Sequence, residues 1–131
     1  MVKPVVLIVD DEADARSTIS DFLKGRYYCD LKEARDGEEA VDFVRSHHCD
    51  VMLLDIKMPK KSGLSVIKEV KAIDPKIDIL IISGWVSEEV AEDAIELGAT
   101  DYAVKPFDLK VIALKLENML NNRGQLSRNA G

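Results

Sequence analysis

The sequence predicts an α/β fold: a five-stranded parallel sheet packed between two layers of helices. Three observations carry this expectation. Short apolar runs recur five times, stripes of helical period separate them, and turn-forming residues mark the joins. Four of the runs are almost continuously hydrophobic, the pattern of strands covered on both faces.

The first run is "VVLIV" (5–9), followed by a helix whose apolar face holds Ile19, Phe22 and Leu23. The second, "CDLKEA" (29–34), is polar and broken, as an edge strand is. Asp36-Gly37 then turns into a helix striped by Ala40, Val41 and Val44. "VMLLD" (51–55) is the third strand, and Pro59 and Gly63 lead into a helix carrying Leu64, Ile67 and Val70. Asp74-Pro75 precedes "DILIIS" (78–83), and Val86, Val90, Ala94 and Leu97 stripe the next helix, which Gly98 ends. "DYAVK" (101–105) is the last strand, and Ile112, Leu116, Met119 and Leu120 face inward from the last helix. Right-handed crossovers, with the polar second strand at an edge, select the flavodoxin-like (βα)5 three-layer sandwich of order 2-1-3-4-5. Residues 1–121 form one domain on this reading, and 122–131 ("NNRGQLSRNAG") a polar flexible tail or truncated linker.

Composition narrows the function. Lys and Arg number 18 against 24 Asp and Glu, a net charge of −6, which disfavours direct nucleic-acid binding by this domain. No apolar run approaches the roughly 20 residues of a membrane span, and no signal-peptide pattern opens the chain, so a cytoplasmic protein is expected. Cys29 and Cys49 lack metal-type spacing. In the expected topology their strands flank strand one, roughly 9–10 Å apart, too far for a disulfide. "SHHCD" (46–50) reads as a surface helix end rather than a metal site.

The chemistry collects at the carboxyl ends of the central strands. Strand one ends in Asp10-Asp11-Glu12, strand three in Asp55, strand four in Ser83 and strand five in Lys105. In a parallel sheet these ends share one edge, and the crevice between strands one and three is the topological switch point. Three carboxylates there require a cation, and an oxygen-only set suits Mg²⁺. Lys105 adds a fixed positive charge and Ser83 a hydroxyl, so Asp55 can serve as a nucleophile for a phosphoryl group. An Asp-Asp pair after a strand also commonly caps the following helix, a role open to Asp11.

Together, "VDDE" (9–12), "ARDGEEA" (34–40), "LLDIKMPKKSGL" (53–64), "IISGW" (81–85) and "GATDYAVKPF" (98–107) resemble the receiver domain of two-component response regulators, of the chemotaxis-regulator kind, over residues 3 to about 121. The resemblance implies that Asp55 is the phosphoacceptor. Asp10, Asp11, Asp55 and the backbone carbonyl of Lys57 would hold Mg²⁺, with Ser83 and Lys105 contacting the phosphoryl group. It further implies a Lys105–Pro106 bond that is typically cis, and a switch in which Tyr102 swings inward when Ser83 moves toward phosphate. The donor would be a sensor histidine kinase or phosphotransfer protein, or a small acyl phosphate. Receivers catalyse their own phosphorylation but act as switches rather than turnover enzymes.

The output surface is expected around helix four, strand five and helix five. Glu88, Glu89, Glu92, Asp93 and Glu96 make an acidic arc there, while Val111 and Leu114 lie beside Lys110 and Lys115, suited to a partner, an output domain or a second copy. Lys57 and Trp85 stand where decay is tuned in this family, and a slow-decaying phosphorylated state is expected from them. Competing functions fit less well. FMN binding would meet the repelling loop "DDEADA", and a haloacid-dehalogenase-type phosphatase expects an Asp where Lys57 stands. A degenerate, unphosphorylated scaffold is the remaining alternative.

Overall fold

The computed structural model describes residues 3–58, 61–84, 87–104 and 108–129. Strands and helices alternate: β1 (Val5–Val9), α1 (Ala13–Lys24), β2 (Asp30–Ala34), α2 (Gly37–Ser46), β3 (Val51–Leu54), α3 (Gly63–Ile73), β4 (Asp78–Ser83), α4 (Glu88–Leu97), β5 (Asp101–Val104) and α5 (Leu109–Asn122). The sheet is wholly parallel, in the order β2-β1-β3-β4-β5. This is the expected flavodoxin-like fold, with the polar strand at an edge.

Alternation along each central strand divides the core. Leu7, Val9, Met52, Leu54, Ile79 and Ile81 face one side, where Ala40, Val41, Val44, Ile67, Val70 and Ala94 of α2, α3 and α4 cover them. Val6, Ile8, Val51, Leu53, Leu80 and Ile82 face the other, against Ile19 and Leu23 of α1 and Ile112, Leu116 and Leu120 of α5. The expected stripes hold for α1, α2, α3 and α5. In α4 Ala94 is buried and Leu97 packs against the core, as Leu64 of α3 does, Val90 is half-buried, and Ala91 is a further buried position. Small side chains occupy the side of α4 nearest the sheet. Val86 lies outside the described residues.

Caps define several helix starts. Asp36, Ser62 and Ser87 accept hydrogen bonds from Glu39 N, Ser65 N and Val90 N respectively. At α1 the capping position is Glu12, whose side chain makes no capping hydrogen bond, so Asp11 does not take that role. Both cysteines are free. Burial pushes their thiols up, Cys29 to about 11 and Cys49 to about 12, so neither ionises appreciably near neutrality. His47 closes α2 and stacks on Phe43, as expected of a helix end.

Residues 123–129, which follow α5, make several bonds to the body of the domain. Gly124 takes a left-handed φ of 71°, and Gly124 N and Gln125 N donate to Asn121 O and Leu120 O, the two bonds of a Schellman motif. The chain thereby reverses and Leu126 packs on the α1–α5 side of the core. Tyr28 N donates to Ser127 O, Asn129 N to Arg26 O, and Arg128 pairs with Glu117. Arg123 reaches Asp50, Asp78 and the carbonyl of Lys76 beneath the amino ends of β3 and β4.

Candidate functional site

Register places the acidic residues. Val9 pairs with Leu54, and both strands end at that pair, so Asp10 and Asp55 emerge side by side at the carboxyl edge of the sheet. Asp55 N donates to Val9 O (2.9 Å) and Asp10 N to Ala34 O (3.1 Å), extending the ladders past the strands. Asp10 and Asp55 are buried and Asp11 is exposed. Each buried carboxylate also holds its own turn: Asp10 Oδ1 accepts from Glu12 N at 2.9 Å, and Asp55 Oδ1 from Lys57 N at 3.0 Å.

One oxygen from each of Asp10, Asp11 and Asp55 lies within 4.8 Å of the others, the single such cluster among the described residues. An all-oxygen, all-carboxylate set of that span fits a hard, largely hydrated Mg²⁺ and lacks the nitrogen and sulfur donors that Zn²⁺ favours. Burial of two of the three carboxylates makes a cation at this point more valuable than it would be in bulk water.

The loop after β3 is shaped by close packing. Gly63 N donates to Ile56 O at 3.2 Å, and a Cβ at Gly63 would stand 2.5 Å from Ile56 Cα and 3.0 Å from its carbonyl oxygen. Backbone atoms cannot yield as a flexible side chain can. Gly63→Ala is therefore expected to cost about 2 kcal/mol and to displace the turn carrying Asp55 and Lys57. Urea denaturation checks the first effect and Mg²⁺ titration the second.

Ser83 ends β4 fully buried, two residues past the Leu54–Ile81 pair. Tyr102 lies in register with Ile81, and the residue is 41% exposed, lining a groove with Ala91 and Ile95 of α4. Lys57 is exposed. Trp85, Lys105 and Pro106 lie outside the described residues.

Sequence reasoning passed over Arg16. Its Nη1 donates to the carbonyl of Asp10 at 2.6 Å and its Nε to Glu33 Oε1 on β2 at 3.1 Å. Its place one turn into α1 was visible, but its partner on β2 follows only from the β1–β2 register.

A doubly wound parallel sheet with a carboxylate triad at the crevice between its reversing strands defines a class of α/β domain whose site lies there and suits a cation. The chain belongs to the response regulator receiver domain family, whose model matches residues 6–117. Receiver domains are signalling domains that bind Mg²⁺ at the acidic pocket and interact with histidine kinases or phosphotransfer proteins and with output domains. The chemotaxis protein CheY of Bacillus subtilis is 35% identical over 116 residues, covering 88% of this chain and 97% of that protein. The transcriptional regulatory protein ZraR of Escherichia coli is 34% identical over 115 residues, 88% of this chain but only 26% of that protein. Among solved structures, Vibrio cholerae chemotaxis protein CheY4 superposes with a TM-score of 0.82 at 28% identity, covering 91% of this chain and 100% of that one.

Proposed function

We propose that this chain is a phosphorylation-dependent switch that accepts a phosphoryl group on Asp55 and thereby alters the α4–β5–α5 surface. The observation that carries the proposal is the convergence of Asp10, Asp11 and Asp55 at the switch point of a receiver fold.

An oxygen of the Asp55 carboxylate attacks phosphorus. The bond from phosphorus to the donor's imidazole nitrogen breaks, its electron pair stays on that nitrogen, and an aspartyl phosphate remains. Mg²⁺, when bound by Asp10, Asp11, Asp55 and the Lys57 carbonyl, supplies charge compensation for the phosphoryl oxygens. The turn through Lys57 N fixes the orientation of the Asp55 carboxylate before reaction. Lys105 and Ser83 are assigned to the phosphoryl oxygens, and Trp85 and Lys57 to slowing hydrolysis. Donors would be a sensor histidine kinase, a phosphotransfer protein or a small acyl phosphate.

Ser83 drawing toward phosphate would vacate room beside β5 for Tyr102, which stands outward and accessible in this structure. The surface so altered is suited to recognition. Among the described residues, five of the seven exposed large hydrophobics lie on it: Ile95, Tyr102, Val104, Val111 and Leu114. The acidic residues of α4 border them, and all five are exposed. Of Lys110 and Lys115, beside Val111 and Leu114, Lys115 pairs with Asp101 at 2.8 Å. Lys110 is left as the exposed cation of that pair. Leu114→Glu, at a surface position, is expected to change stability by less than about 0.5 kcal/mol. It should nevertheless abolish phosphorylation-dependent association, read by sedimentation with and without acetyl phosphate.

Among the described residues no helix is long and apolar enough to cross a membrane, and a cytoplasmic location is part of the proposal. The test is direct. Incubation with Mg²⁺ and acetyl phosphate should add about 80 Da to the chain, and EDTA should prevent it. An unmodified chain would leave the unphosphorylated scaffold as the better reading.

A further inference from the structure

Asp10 stands one residue past the end of β1, where the ladder gives way to the turn into α1. Three bonds fix it. Its N–H donates to Ala34 O on β2, its Oδ1 accepts from Glu12 N, and its carbonyl accepts from Arg16 Nη1 at 2.6 Å. Arg16 is in turn braced through Nε by Glu33 Oε1 at 3.1 Å, and its side chain is only 16% exposed. One guanidinium thus joins the first turn of α1, the β1–α1 turn and the edge strand, and does so with two donors in the fork that lysine lacks.

From this geometry we infer that Arg16 is a positioning residue for the cation pocket. By holding the Asp10 carbonyl it sets the direction in which the Asp10 and Asp11 carboxylates leave the backbone, and so keeps them converged on Asp55. The inference rests on reading that pocket as the Mg²⁺ site. Arg16 bonds the backbone of Asp10 and not its carboxylate, so it organises the site without occupying it.

The test is Mg²⁺ affinity of the unphosphorylated chain, measured by calorimetry beside urea denaturation without metal. Arg16→Ala is expected to weaken Mg²⁺ about tenfold. Arg16→Gln retains a donor but not the charge. Both variants remove the positive charge, whose loss alone would strengthen binding of a cation, so weaker binding in Arg16→Ala and partial recovery in Arg16→Gln both report position. Unchanged affinity in a folded Arg16→Ala chain overturns the inference, as does an Arg16→Gln chain no better than Arg16→Ala. Should Arg16→Ala fail to fold, Glu33→Gln decides: loosening the brace must weaken Mg²⁺ at unchanged denaturation midpoint, and unaltered affinity is fatal. If the unaltered chain binds no Mg²⁺, the reading of the pocket itself has failed, a result distinct from all of these.

Discussion

Asp50→Ala is expected to destabilise the fold by about 3 kcal/mol and to lower the melting temperature by roughly 10 °C. Asp50 is buried beneath the amino edge of the sheet, far along the strands from the acidic pocket. Its carboxylate accepts from Val5 N at 2.8 Å, His48 Nε2 at 2.9 Å, Gln125 Nε2 at 3.1 Å and Arg123 Nη2 at 3.2 Å. Removing it strands the first amide of β1 and takes a shared acceptor from Arg123 and Gln125 after α5. Arg123 keeps Asp78 and the Lys76 carbonyl, which holds the loss below that of an isolated buried charge. Differential scanning calorimetry checks the shift, and a change under about 1 kcal/mol contradicts the account.

The same group gives the acid limb of stability a sign. Burial alone would push the Asp50 carboxyl up, but hydrogen bonds from Val5 N, Gln125 and His48 hold it below the usual carboxylate range. A depressed native value means the unfolded chain takes up the proton first. The contribution of Asp50 is therefore complete above the unfolded carboxylate value, near about 4, and disappears as pH falls through the lower native one. Denaturation midpoints measured across that interval should fall less steeply for Asp50→Asn than for the unaltered chain.

None of this network was visible in the linear sequence, and the reason is physical. Strands and helices announce themselves by local period, which is why the order of the sheet, the edge position of β2 and the faces of α1, α2, α3 and α5 could be read directly. Asp50 and Arg123 are 73 positions apart, and nothing local pairs them. The one available signal was Gly124 just past a helix with Leu126 beyond it, the pattern of a Schellman reversal. Polar composition concealed it. The acidic pocket was more legible because parallel topology delivers every strand's carboxyl end to one edge, so Asp10, Asp11 and Asp55 could be brought together from strand ends alone. Helix capping was less so: Asp11 is a favoured capping residue by type, yet Glu12 holds the capping position without a side-chain bond, and Asp10 Oδ1 takes its amide.

Asp55→Asn is expected to remove the phosphoryl adduct entirely, whereas Asp11→Asn should retain it at a rate lowered about 10²-fold. The two substitutions are sterically alike, so their difference isolates chemistry. An amide at residue 55 preserves an acceptor oxygen for Lys57 N but has no anionic oxygen to attack phosphorus. Asp11 is the exposed member of the triad, and its loss weakens the cation while leaving the nucleophile in place. Mg²⁺ at 100 times its dissociation constant should stabilise the unaltered chain by about 2.7 kcal/mol, and either variant by less at the same concentration. Intact-mass kinetics with acetyl phosphate separates the two outcomes. An adduct persisting in Asp55→Asn would move the acceptor to another residue, and an Asp11→Asn chain as fast as the original would remove that carboxylate from the cation's shell.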